Sequence, residues 1–460
     1  MNRRRRSFLR GSSALGAGWL AGRSAAAQHH HAEPRPRAGD AGPVGVVTPD
    51  VKRLPWTMEG GVKVFHLTAE VVKQEIMPAS HMGPAKVLTV WGYNGSVPGP
   101  MIEANEGDRV RVVLHNQLPE PTTIHWHGLE VPVEMDGTPF ISQPPIEPGG
   151  SFAYEFTLHQ NGTFFYHSHG AMQEMLGMIG LFVIHPRRPH APRVDKDFGF
   201  IMQGWAVLPN NPVPNTFGME FNWLTLNGKA APATTPLIIR QGERVRIRLV
   251  NLGMDHHPIH LHGHQFYVTG TEGGRIPEAG WYPGNTVLVG VAQARDIEFE
   301  AKYAGDWMLH CHLPHHMMNQ MVSMVGPMAH AGHGLQTGKG MEEGMGIVRR
   351  GGALSEELGP GLGRGLGLAA DADRQVSNLI GPQLSAEQKK RVPGYPQDDM
   401  MMMDLDAAVA KPETHGLAKG WTASMMGMMS LVRVLPPEKY EEVMARVKAG
   451  RTDKPPAHHH

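Results

Sequence analysis

From about residue 60 to residue 326, apolar and polar positions alternate in short runs separated by Gly, Pro, Asn and Asp. A period of two puts every other side chain on one face, so these runs predict β-strands with one side on a core, and few helices. Two of the runs repeat one pattern. GDRVRVVLHN at 107–116 and GERVRIRLVN at 242–251 alternate aliphatic residues with arginines, and each follows an Asn-Gly turn and a Pro-containing stretch. They lie 135 residues apart, which predicts two β domains in tandem. Outside this region the pattern changes. Residues 28–58, rich in Pro, Gly and Ala, predict a flexible lead-in, and the Gly-dominated stretch from 327 onward predicts a linker or loosely held arm. Near the end, PPEKYEEVMARVKAG predicts a short helix opened by Pro.

The resulting plan is an export signal at 1–27, a lead-in at 28–58, β domains at 59–190 and 191–326, and a Gly- and Met-rich extension at 327–460. Arg5-Arg6-Ser7-Phe8-Leu9, a Gly/Ala-rich run and Ala25-Ala26-Ala27 form the pattern of a twin-arginine signal. Such a signal implies export of a folded protein to the periplasm or beyond. Cleavage after Ala27 would remove six arginines from a formally neutral chain, leaving about −6, which argues against nucleic acid as partner. No run is long and apolar enough to predict a membrane span.

Cys311 is the single cysteine, so an intramolecular disulfide is excluded. It is a core thiol, a nucleophile or a metal ligand. The histidines narrow the choice, because the duplication includes them. The 135-residue offset carries His125 and His127 of HWHG onto His260 and His262 of HPIHLHGH. HSHGAMQEMLGM (167–178) then lies over HCHLPHHMMNQM (310–321) without a gap. On a strand, H-x-H points both imidazoles to one side. Four such pairs beside a thiol and a thioether suit copper better than a hard cation.

In this order, HWHG, HSH, HPIHLH and HCH-x3-H-x4-M resemble the four copper motifs of the multicopper oxidases, the laccase-like family of cupredoxin domains. The resemblance covers roughly residues 60–326 and implies an all-β fold of two Greek-key cupredoxin domains holding four coppers. It assigns the type 1 copper to His257, Cys311 and His316, with Met321 as weak axial ligand. The type 2 copper falls to His125 and His260. One type 3 copper falls to His127, His167 and His312, and the other to His169, His262 and His310. Asp136, in MDGTP, matches the family's proton-delivering acid, although an ordinary Asp-Gly turn also accounts for it. Where the second domain has His257, Cys311 and His316, the first has Thr122, Ser168 and Gln173, with only Met178 matching Met321. One type 1 site per chain is implied.

The implied activity is one-electron oxidation of a phenol, Cu(I) or Fe(II), coupled to reduction of O2 to water. His169 and His257 are too close in sequence to admit a middle domain. The resemblance is therefore to the two-domain, small-laccase type, which implies a homotrimer with trinuclear clusters at its subunit interfaces. Two other readings compete. A copper nitrite reductase shares the architecture but carries its type 1 cysteine in the first domain. A copper-storage protein would account for the 29 Met and 28 His. The C-terminal methionines, Met400 to Met403 and Met425, Met426, Met428 and Met429, suit either adaptable packing or the handling of Cu(I).

Overall fold

The computed structural model describes residues 42–81, 83–207, 211–216, 221–317 and 405–452. The expected signal, Met321, Met400 to Met403 and the terminal His458–His460 lie outside them.

The first half contains β1 (Trp56–Glu59), β2 (Val62–Met77), β3 (Lys86–Tyr93), β4 (Gly99–Asn105), β5 (Arg109–Asn116), β6 (His125–His127), β7 (Ser151–Thr157), β8 (Gly162–His167) and β9 (Ile179–His185). The second contains β10 (Lys196–Trp205), β11 (Trp223–Leu226), β12 (Leu237–Arg240), β13 (Arg244–Asn251), β14 (His257–Leu261), β15 (Phe266–Thr271), β16 (Gly274–Arg275), β17 (Tyr282–Gly284), β18 (Thr286–Val289), β19 (Gln293–Glu300), β20 (Gly305–Cys311) and β21 (Met429–Leu435). Each half is a pair of sheets around its own apolar core. In the first half one sheet runs β1-β2-β5-β7, with β3 on β2, and the other runs β4-β9-β8-β6. In the second they run β11-β10-β13-β19-β15-β16 and β12-β21-β20-β14-β18. The duplication is visible in its details. β4 pairs parallel with β9 as β12 does with β21, and the first histidine of each β6 or β14 pair faces the first of β8 or β20: His125 opposite His167, His260 opposite His310. Asn94-Gly95 and Asn227-Gly228 both turn with positive φ at each residue, the geometry that two-residue hairpin turns require.

The two copies of the Arg-alternating strand differ in what their polar face meets. On β5, Arg109 and Arg111 pair with Glu155 near solvent. On β13, Arg246 and Arg248 are buried against Asp197, Glu298 and Asp296, and Thr163 of the first domain reaches across to both Arg248 and Asp296. The domains therefore meet through a paired-charge network as well as through apolar contacts such as Phe165, Leu181, Val250 and Leu252. Burial is tolerable here because every arginine has a carboxylate partner.

Two expectations need correction. The lead-in is not loose in its described part, since Val46 and Leu54 are buried, and residues Val47 and Arg53 bridge to Phe198 and Met101. The boundary at 326 does not end the second domain either. β21 lies between β12 and β20, and the C-terminal helix, Pro437–Thr452, packs its Tyr440, Val443 and Val447 on Ile238 and Leu435. Hydrophobic pattern and register choose a strand's partner, and a long intervening segment adds only a logarithmic entropy cost. No helix among the described residues is long and apolar enough to cross a membrane.

Candidate metal centres

Strand parity creates two sites on one sheet. Along β14, His257, Ile259 and Leu261 are buried while Pro258 and His260 are half-buried, as alternation requires. Cys311 is the register partner of Ile259 and so shares its core-facing side. His310 and His260, paired on the other parity, share the opposite side. His312, just past the strand end, packs its ring on His260 and His310, so the thiol and its two flanking histidines point to opposite sides of the sheet.

On the core face, Cys311 Sγ lies 3.7 Å from His257 Nδ1 and 3.5 Å from His316 Nδ1, and the two nitrogens are 3.1 Å apart. Metal–nitrogen and metal–sulfur bonds of about 2.0 to 2.3 Å, spread in a plane, set donors about 3.5 Å apart. The triangle fits one ion. All three residues are buried. Burial, reinforced by His316 and neighbouring imidazoles, lowers the pKa of His257 to about 3. Burial and His315 lower that of His316 to about 4, and burial raises the Cys311 thiol to about 12. A pocket this hostile to charge keeps the imidazoles neutral and the thiol protonated, and a bound cation would displace the thiol proton. Two nitrogens, one sulfur and trigonal shape favour copper of the electron-transfer kind.

The first domain has the same triangle without the ligands. Thr122 Oγ1 and Ser168 Oγ lie 3.3 Å apart, and both donate to Gln173 Oε1, at 2.8 and 2.7 Å. Hydrogen bonds there satisfy what metal bonds would satisfy in the second domain.

On the other face, each domain gathers four imidazoles around one of them. His125 touches His127, His167 and His169 at ring-centroid distances of 5.7, 5.4 and 5.5 Å. His260 touches His262, His310 and His312 at 4.9, 5.7 and 5.5 Å. Backbone carbonyls fix the tautomers. The Nδ1–H groups of His125, His260 and His310 donate to the Asp136, Asn285 and Cys311 carbonyls at 2.8, 2.7 and 2.8 Å, leaving each Nε2 unprotonated and able to ligate, with His310 Nε2 3.0 Å from His262 Nε2. Burial and the neighbouring His167 and His125 lower His127 to about 4, and burial lowers His125, His262 and His310. His167 is the exception. Burial opposes its protonation, but the adjacent Glu174 carboxylate, 3.3 Å from Nδ1, overcomes this and raises its pKa. Among the described residues no ring contact joins the two quartets, and the donor cluster His125, His127 and His167 is confined to the first domain. His169 and His312 are exposed, and a pocket of about 470 Å³ opens beside His260, His264 and Asn285.

The expected residues are thus gathered into three clusters, with Met321 outside the described chain. Asp136 stands beside His125, its Oδ1 3.4 Å from Nδ1, and accepts a 2.6 Å hydrogen bond from Thr138. Sequence reasoning passed over Glu174 and Asp255, whose Oδ2 lies 3.3 Å from His316 Nε2. An acid seven residues after His167, and one two residues before His257, were the available signals. His264 is buried and accepts from the Tyr303 N–H, His256 accepts from the Val291 N–H, and His315 packs on the His316 ring.

Two family models, both described as multicopper oxidase, match residues 77–189 and 207–327. Copper resistance protein A of Pseudomonas syringae pv. tomato is 39% identical over 130 residues, 28% of this chain and 21% of that protein. Multicopper oxidase MmcO of Mycobacterium tuberculosis is 29% identical over 251 residues, 46% of this chain and 48% of that protein. The chain therefore spans less than half the length of these relatives. The blue copper oxidase of Nitrosomonas europaea superposes with a TM-score of 0.50 at 30% identity, over 56% of this chain and 81% of that one. Matching sequence, fold and donor geometry together place the chain in the multicopper oxidase family, as a member with two cupredoxin-like domains.

Proposed function

We propose that the protein is a laccase-like oxidase that takes single electrons from a small reductant at the Cys311 pocket and delivers them to O2 at a trinuclear copper cluster. Copper, when bound, supplies the one-electron and dioxygen chemistry. One observation carries the reading: His310, Cys311 and His312 are consecutive, and the two imidazoles pack with His260 on the side of the sheet opposite the thiol. The thiolate that receives an electron and two imidazoles of the dioxygen-reducing site are thereby connected through a single short backbone segment. His125 and His260 would hold the type 2 ion. His127, His167 and His312 would hold one type 3 ion, and His169, His262 and His310 the other. Asp136, partly exposed beside His125, would pass protons toward the oxygen site, a role its proximity to that histidine supports.

The reductant class is a phenol, Cu(I) or Fe(II). Asp255 sets a carboxylate against the ring edge of His316, which favours a cationic or proton-releasing donor. The twin-arginine pattern would deliver the folded protein to the periplasm or outside the cell. Copper-loaded protein should consume O2 with cuprous ion or a dimethoxyphenol as donor. Copper binding without oxygen uptake on either would leave a storage protein instead.

Each quartet is half of an eight-imidazole set, which favours completion by a neighbouring chain. A first-domain face meeting a second-domain face is a heterologous contact, and it closes only as a ring. Three chains are the proposed ring. Mixing a His125→Ala/His127→Ala variant with a Cys311→Ser variant tests it, because one mixed interface would join an intact first domain to an intact second domain. Partial recovery of activity is expected, and none after verified subunit exchange would reject the shared site.

A further inference from the structure

The resemblance to the family's motifs implies Met321, five residues after His316, at the axial position of the Cys311 pocket. The strand register assigns it elsewhere. In the first domain β8 pairs with β9 so that His167 faces Ile179 and Gly162 faces Ile184. In the second, β20 pairs with β21 so that His310 faces Met429 and Gly305 faces Val434. From β8 to β20 the shift is 143 residues, and from β9 to β21 it is 250. The second domain thus carries 107 extra residues between its last histidine ligand and its closing strand. With that insertion removed, GMIGLFVIHP (177–186) lies over GMMSLVRVLP (427–436), sharing Gly, Met, Leu and the final Pro.

The residue just before the closing strand repeats the same backbone bonds in both domains. The Ser168 N–H donates to the Met178 carbonyl at 3.0 Å, and the Met178 N–H donates to the Gln173 carbonyl at 3.2 Å. The Cys311 N–H donates to the Met428 carbonyl at 3.0 Å, and the Met428 N–H donates to the His316 carbonyl at 3.0 Å. Met428 is therefore tied to both equatorial residues that Ser168 and Gln173 represent. Gly177 and Gly427, immediately before, both have positive φ, at 112° and 66°. Met428 is wholly buried in the same core cluster as Cys311, so its thioether is held where solvent does not compete.

We propose that Met428, and not Met321, is the axial ligand of the type 1 copper, so that the site is assembled from two segments separated by the long insertion. The inference rests on the multicopper reading of the Cys311 pocket. An axial thioether is a weak donor that tunes potential while the thiolate gives the colour. In copper-loaded full-length protein, Met428→Leu should keep the visible thiolate band, raise the type 1 reduction potential and alter the copper hyperfine splitting in its electron paramagnetic resonance spectrum. Met428→Gln, a stronger axial donor, should shift the potential the opposite way. Met321→Leu and Met321→Gln should leave both readouts at wild-type values. A shift confined to the Met321 pair overturns the assignment, and so does a wild-type spectrum and potential in all four variants. If the buried Met428 variants yield too little folded protein, the Met321 pair still decides: unchanged readouts support Met428 and shifted ones reject it. A wild-type protein with no thiolate band at all would sink the multicopper reading itself, a result distinct from either.

Discussion

The two domains repeat one design, and at the core-side trio the difference comes down to three side chains. Both place a trio of residues under the end of a β-strand pair, on the core side of a sheet whose other side carries four histidines. In the first domain the trio is Thr122, Ser168 and Gln173, closed by hydrogen bonds of 2.7 to 3.3 Å. In the second it is His257, Cys311 and His316, with donors 3.1 to 3.7 Å apart. The backbone is prepared for a metal in both, and the side chains decide whether one can bind. The imidazole quartets, by contrast, were kept in both copies. That asymmetry fits a cluster that needs both domains and an electron entry that needs only one.

The largest expected effect is Cys311→Ser, which gives the second domain the residue that the first has at Ser168. A hydroxyl cannot replace the thiolate, so the visible band and oxygen uptake should both vanish while copper at the quartets remains. Absorption and copper content of the same sample check this. A variant that kept an intense band would show that the colour arises elsewhere.

Next comes truncation near residue 330, which removes β21 from the second domain and leaves the first untouched. Met428, Met429, Leu431, Val432, Val434 and Leu435 are all buried. At about 1.5 to 3 kcal/mol per buried apolar side chain the loss is on the order of 10 kcal/mol, comparable to a whole domain's stability. The second domain should fail to fold, with loss of oxidation of cuprous ion and phenol alike. A truncated protein that stayed blue would contradict the placement of β21.

Much of this comparison was legible in the sequence. The alternation of GDRVRVVLHN and GERVRIRLVN, the fixed offset of the H-x-H pairs and the Thr122, Ser168 and Gln173 substitutions follow from a period of two and a repeat. The closing strand did not follow, because local motif spacing favours a nearby methionine and nothing in chain distance announces a partner beyond residue 400. Matching GMMSLVRVLP against GMIGLFVIHP would have found it. The buried face of β13 was also hidden, since Arg246 and Arg248 read as solvent-facing until Asp197, Asp296 and Glu298 are brought to them. Glu174 and Asp255 escaped notice because a carboxylate near a histidine is recognised by distance, and sequence supplies only order.

Acid sensitivity gives a smaller and sharper contrast. In the metal-free protein, His257 and His316 have pKa values lowered from 6.5 to about 3 and about 4. Below pH 6.5 the unfolded chain takes up protons that the native pocket refuses, so stability falls as pH drops from 6.5 toward 4 and 3. The first domain's trio contains no titrating group. Giving the second domain the same trio, with His257→Thr, Cys311→Ser and His316→Gln, should make the melting temperature fall less steeply over that pH range. The slope will not reach zero, because His127, His125, His262 and His310 are also lowered. An unchanged slope would place the acid sensitivity in the quartets.

The reverse exchange is the most demanding test and should give the smallest gain. Thr122→His, Ser168→Cys and Gln173→His would place the second domain's trio in the first, where Met178 already makes the backbone bonds that Met428 makes. Two imidazoles are larger than the groups they replace, and overpacking a buried site costs about 1 to 3 kcal/mol. The N–H of Gly170 would also lose the Ser168 oxygen it now donates to at 3.1 Å. The expected product is a less stable protein that binds up to one further copper per chain and shows a second, weaker thiolate band. Adding Met178→Leu should then keep the new band and raise the reduction potential of the new site alone. If the triple variant folds and binds no additional copper, the domains share a backbone but not a latent site, and the first has lost more than its ligands.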